Sequence, residues 1–103
     1  MMKHIYILSC ETDGGVYHYL FEKGKFTFLE KTLLDRPMYA IIRNNKMYVI
    51  LREIDTKTHF GGILSFDINV NGNLINPTEI ENTKGIVPCH LEIMGEDKYV
   101  VNY

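Results

Sequence analysis

Six side chains in this sequence have the chemistry to act on a substrate. His90 and Glu53 are of the types that take up a proton, Arg36 and Arg52 carry fixed charges that hold anions, and Tyr39 and Asn102 donate hydrogen bonds. Each also has a plainer role open to it. A histidine at the start of a strand can simply hydrogen-bond neighbouring backbone. Adjacent Arg52 and Glu53 can form a solvated loop pair. His18, on an apolar strand face, is expected as a satisfied core residue, and His4 and His59 as surface positions. The seven tyrosines are expected mainly as packing residues. Cys10 and Cys89 lie far apart, outside any Cys-x-x-Cys pair or Cys/His ligand spacing, so two reduced thiols are expected, with no metal and no cofactor.

Whatever these residues do, a small number of elements must position them. The chain has 103 residues, 46% hydrophobic and 23% charged, the composition of one ordinary globular unit rather than a disordered one. A unit of this length buries only about two thirds of its unfolded surface, so any bare face or unpaired sheet edge matters. The net charge is -2 and no basic run is present, which argues against a nucleic-acid partner. The opening residues Met1 to Leu8 contain one lysine and a short apolar stretch, too little for a signal-peptide core or a membrane helix; a cytoplasmic protein is expected.

Apolar residues come in strand-length runs: Ile5 to Leu8, Val16 to Phe21, Phe26 to Leu29, Met38 to Ile42, Met47 to Leu51, Ile63 to Ile68, Leu91 to Met94 and Tyr99 to Val101. They are rich in β-branched and aromatic residues and have no helical period. Lys23-Gly24, Asn44-Asn45, Asn71-Gly72 and Gly95-Glu96-Asp97 supply the turns between them, because glycine and asparagine tolerate the positive φ of tight hairpins.

The chain also repeats itself. Gly14-Gly15-Val16 recurs as Gly61-Gly62-Ile63, Gly24-Lys25-Phe26 as Gly72-Asn73-Leu74, Pro37-Met38-Tyr39 as Pro88-Cys89-His90, and Tyr48-Val49-Ile50 as Tyr99-Val100-Val101. A period of about 40 to 50 residues, made of strands alone, is the signature of a β-propeller blade. The strand faces agree. Tyr48 and Ile50 are matched by Met47, Val49 and Leu51 on the opposite face, and Val16, His18 and Leu20 by Tyr17, Tyr19 and Phe21, so both faces want cover.

The expected fold is therefore all-β: a partial β-propeller of about two four-stranded antiparallel blades. Residues 1–35 are read as the three outer strands of a first blade, 36–86 as a complete second blade, and 87–103 as the first two strands of a third. Within the second blade the expected strands are Met38 to Ile42, Met47 to Leu51, Ile63 to Ile68 and an outer one over Asn73 to Ile80, where Pro77 is tolerated at an edge. On this reading the chain begins and ends within blades. Blade topology then gathers Ser9-Cys10-Glu11, Pro37 to Tyr39, Arg52-Glu53, Pro88 to His90 and Asn102-Tyr103 at one end of a central channel.

Ile5-Tyr6-Ile7-Leu8-Ser9, Gly24-Lys25-Phe26-Thr27-Phe28-Leu29, Arg36-Pro37-Met38-Tyr39, Gly61-Gly62-Ile63-Leu64-Ser65-Phe66, Val87-Pro88-Cys89-His90-Leu91 and Tyr99-Val100-Val101-Asn102-Tyr103 resemble the 6-phosphogluconolactonase (lactonase) family. That family is similar in turn to fungal carboxymuconate-cyclizing enzymes. The chain departs from the family pattern where Leu51-Arg52 intervene before Glu53. The resemblance implies a seven-bladed propeller, for which seven such units need about 340 residues, and hydrolysis of 6-phosphogluconolactone to 6-phosphogluconate in the pentose phosphate pathway. For that reaction His90 or Glu53 is the expected base, Arg52 or Arg36 the phosphate clamp, and Tyr39 or Asn102 the oxyanion donor. The expected partner is a small sugar lactone bound by a full-length parent. The alternative is a non-catalytic propeller segment that assembles through exposed blade edges.

Overall fold

The computed structural model describes residues 2–102, and every regular element among them is a β-strand. In chain order these are β1 (Met2–Ser9), β2 (Gly15–Glu22), β3 (Lys25–Leu33), β4 (Pro37–Arg43), β5 (Lys46–Leu51), β6 (Phe60–Ile68), β7 (Leu74–Ile75), β8 (Glu81–Ile86), β9 (Pro88–Met94) and β10 (Asp97–Asn102). Tyr103 lies outside the described residues. No helix among them is long and apolar enough to cross a membrane.

The strands form three antiparallel sheets, β1-β2-β3, β4-β5-β6-β7 with β8 also paired to β6, and β9-β10. Turn chemistry fixes them. Lys23 and Gly24 both have positive φ (51° and 75°), as do Asn44 and Asn45 (51° and 61°), the pair of left-handed residues that a primed hairpin turn requires. Gly72 and Gly95 turn in the same region. The chain is thus all-β, in the arrangement of a partial propeller.

The sheets are held together by two apolar clusters that meet on opposite faces of β5. Met47, Val49 and Leu51 pack with Val16, Leu64 and Phe66, joining the first sheet to the second, with Tyr6 and Leu8 alongside. Ile50 packs with Ile63, Leu91 and Ile93, joining the second sheet to the third, with Tyr39, Ile41 and Tyr48 alongside. Both faces of the central strand are therefore covered, which is why its sequence lacks a polar face. Gly61 permits part of this stacking: a Cβ there would overlap the Pro88 ring and come within 2.7 Å of the Leu51 carbonyl. The outward face of the first sheet is open, and along it Tyr17, Tyr19 and Phe21 pair edgewise or at a tilt with Phe26 and Phe28.

The outer strand expected over Asn73 to Ile80 is not continuous. Only Leu74–Ile75 pairs there, with Asp67 and Ile68 of β6. Pairing then resumes at β8, where Glu81, Asn82 and Ile86 face Ile63, Gly62 and Phe60. Asn76 is left-handed (φ 51°) and Pro77 has no N–H to contribute to a ladder, so the backbone leaves β6 between them. Thr78 bridges the gap, its Oγ1 accepting from Ser65 N–H and its own N–H donating to Ser65 O, both at 2.9 Å.

Candidate functional site

The antiparallel registers put the ends of β1, β3, β5 and β10 and the starts of β2, β4, β6 and β9 at one rim of the molecule. Backbone hydrogen bonds stitch that rim together. Arg36 N–H donates to Glu11 O (2.8 Å), and Arg52 N–H donates to Arg36 O (2.9 Å), so the loops after β1, β3 and β5 form one layer. Pro37 stands opposite Leu51, and Pro88 opposite Asn102.

The two chain segments that open the inner strands share a strained conformation. Arg36 (φ 48°) and Val87 (φ 46°) are both left-handed, and each immediately precedes a proline. That region is unusual for any residue with a side chain and an outlier for a β-branched one; such strain persists where the surroundings over-determine it, commonly at functional sites.

Arg36 and Glu53 are brought together. The Arg36 guanidinium donates from Nε to Asp35 Oδ1 at 2.7 Å and lies 3.7 Å from Glu53 Oε2 through Nη1. The Asp35 hydrogen bond and the two carboxylate charges keep Arg36 firmly protonated. Glu53 is mostly covered, its side chain 20% exposed, and its other oxygen contacts His59 Nδ1 at 2.8 Å. Arg52 is exposed, and among the described residues its guanidinium enters no ion pair.

Tyr39 and His90 form a second pair, on the adjacent strands β4 and β9. Their rings are tilted at 37° with centroids 5.2 Å apart. His90 Nε2 is 3.6 Å from Glu92 Oε2, and Glu92 accepts from Arg43 at 3.1 Å, so acid and base alternate along these strands. The two residues occupy matching places in the repeat, two positions after Pro37 and Pro88.

Asn102 is not part of either pair. Its side chain fills the space over Gly85 of β8, where any Cβ would collide with it. Cys10 and Cys89 are both free and exposed. Among the described residues no group of three or more His, Cys, Asp or Glu side chains gathers at one point.

His59, from its sequence context a surface position, also reaches the pair of Arg36 and Glu53. It is exposed, yet its imidazole is tied to Glu53 across a short loop. The available signal was the loop itself: Asp55 and Thr58 are local backbone-capping types, followed by the Gly61-Gly62 strand start.

No curated protein and no solved structure matches the chain. The model of one family, described as lactonase, 7-bladed beta-propeller, matches residues 4–103. With strands, two-faced packing and a shared rim of polar residues arranged as above, the chain belongs to the lactonase family of seven-bladed β-propellers.

Proposed function

We propose that the chain builds part of a sugar-lactone hydrolase whose substrate is 6-phosphogluconolactone. The observation that carries this reading is the joining of Arg36, Arg52 and Glu53 in one hydrogen-bonded rim layer, in a chain of the lactonase family. Hydrolysis of a phosphorylated lactone needs a cation for the phosphate, activation of water, and donors for the oxyanion that forms at the carbonyl. Arg36 is already engaged by two carboxylates, so Arg52 is the phosphate clamp. Water is activated on the side of the rim where Glu53 stands. Tyr39 and His90, side by side on the inner strands, supply donors to the lactone. Asn102, turned onto β8, is left with a packing role. The two free exposed thiols favour a reducing compartment such as the cytoplasm.

The test is hydrolysis of 6-phosphogluconolactone by the complete propeller that contains this chain, measured against the spontaneous rate. Acceleration is expected. Arg52→Ala is expected to raise KM for the phosphorylated lactone by about 10- to 100-fold, the loss of one charge-assisted hydrogen bond, while KM for unphosphorylated gluconolactone stays unchanged. A KM that rises equally for both lactones would remove Arg52 from the phosphate site, and a rate equal to the background would end the hydrolase reading.

A further inference from the structure

We propose that His59 is the group that takes the proton from the attacking water, and that Glu53 acts through it as a positioning residue. The proposal rests on the lactone-hydrolase reading and names the group that performs the water activation placed there beside Glu53.

Both Glu53 oxygens are occupied, Oε2 by the Arg36 guanidinium and Oε1 by His59 Nδ1. A carboxylate only accepts hydrogen bonds, so the 2.8 Å contact requires a proton on Nδ1. In the neutral imidazole this leaves the Nε2 lone pair free, and the ring is open to water, 64% exposed. A carboxylate that fixes the tautomer of an imidazole while the second nitrogen faces the reactants is the arrangement of a general base with its orienting partner.

The loop that presents His59 is built for one conformation. Ile54 N–H donates to Phe60 O at 2.8 Å and closes it. Inside, Asp55 gathers three donors: its carboxylate accepts from Lys57 N–H at 2.9 Å and Thr58 Oγ1 at 3.0 Å, and its carbonyl accepts from His59 N–H at 2.8 Å. The Lys57 N–H bond, with that from Thr58, pulls the Asp55 carboxyl below its usual range, so these bonds persist in mild acid. Held this way, His59 sits at φ 61°, a left-handed conformation that persists only where the surroundings fix it. Arg36, the other residue on Glu53, is also left-handed, so two strained residues converge on one carboxylate.

The step balances without any further reagent. The water oxygen bonds to the lactone carbonyl carbon as its proton passes to His59 Nε2, and the carbonyl π electrons move onto the oxyanion. As that intermediate collapses, the ring C–O bond breaks and the departing oxygen takes the proton from the imidazolium. Lactone and water become one hydroxy acid.

His59→Asn tests this, because asparagine tolerates the left-handed conformation and preserves the loop. The variant is expected to lower kcat for 6-phosphogluconolactone by about 10²-fold or more with KM little changed. A nitrogen NMR measurement of the neutral ring gives a second readout: the proton is expected on Nδ1 in the unaltered chain and in Glu53→Gln, and to shift towards Nε2 in Glu53→Ala. Catalysis that survives His59→Asn overturns the proposal and leaves the hydrolase reading standing, as does an Nε2–H tautomer in the unaltered chain. Absence of any catalysis by the complete unaltered propeller removes both.

Discussion

Ile50→Ala is expected to destabilise the chain by about 2–5 kcal/mol and to strip hydrogen-exchange protection from β9 and β10 before β1 to β3. The reason is one-sided. Ile50 is fully buried, and its side chain joins Ile63 to Leu91 and Ile93 in the cluster between the second and third sheets. Met47, three residues earlier on the same strand, is equally buried but belongs to the cluster with Val16, Leu64 and Phe66. Met47→Ala is therefore expected to cost a similar amount and to release β1 and β2 first. Local opening follows the contacts that are lost, provided the sheets are separate packing layers. Identical loss of protection across all strands in both variants would mean that the layers do not stack as described.

Acid is expected to loosen the same molecule through His18. This side chain is only 3% exposed, stacks on Tyr6 with ring centroids 4.7 Å apart, and meets His4 Nδ1 through Nε2 at 2.8 Å. Its Nδ1 has no hydrogen-bond partner among the described residues. Burial lowers the His18 pKa, the nearby His4 adds to that, and Asn73 and Glu30 oppose it with smaller effects. Tyr6 hydrogen-bonds the Gly72 carbonyl and closes the other side. Protonating both imidazoles would set two like charges against each other in this confined place. The unfolded chain takes up its proton near pH 6.5, the folded chain only at lower pH. Between those points unfolding binds a proton, so stability is intact at neutral pH and falls as pH drops, with a limiting slope of about 1.4 kcal/mol per pH unit for one proton. Urea midpoints from pH 7.5 down to 5 are expected to show this in the unaltered chain and to flatten in His18→Leu. An unchanged slope in the variant would place the acid sensitivity elsewhere.

The parts of the fold legible in the sequence are those where one residue type has one physical use. Met47, Val49 and Leu51 against Tyr48 and Ile50 announced a strand covered on both faces, and the two clusters lie on those faces. Lys23-Gly24 and Asn44-Asn45 announced primed turns and adopt them. Strand β8 was not legible: Glu81 to Ile86 is polar and carries no apolar alternation, since it pairs with β6 at a largely exposed edge. The apolar pattern points instead to a strand through Pro77, where the ladder breaks.

The site was legible only in outline. Arg36 with Glu53, and Tyr39 with His90, follow from strand order once the repeat is recognised. His59 does not, because it sits in a left-handed turn of an irregular loop, outside the strand repeat that orders the other residues. The left-handed Arg36 and Val87 were equally hidden, since residues before proline ordinarily prefer extended conformations.

The proposed lactone site lies at the rim where the strands β4 and β9 begin and β5 ends. Titrating the reaction product, 6-phosphogluconate, into the labelled chain and following backbone amide shifts tests it most directly. The shifts are expected to gather at Arg36, Tyr39, Arg52, Glu53, His59 and His90. Shifts gathered instead at the opposite end, around Gly24, Asn45 and Gly95, would contradict it.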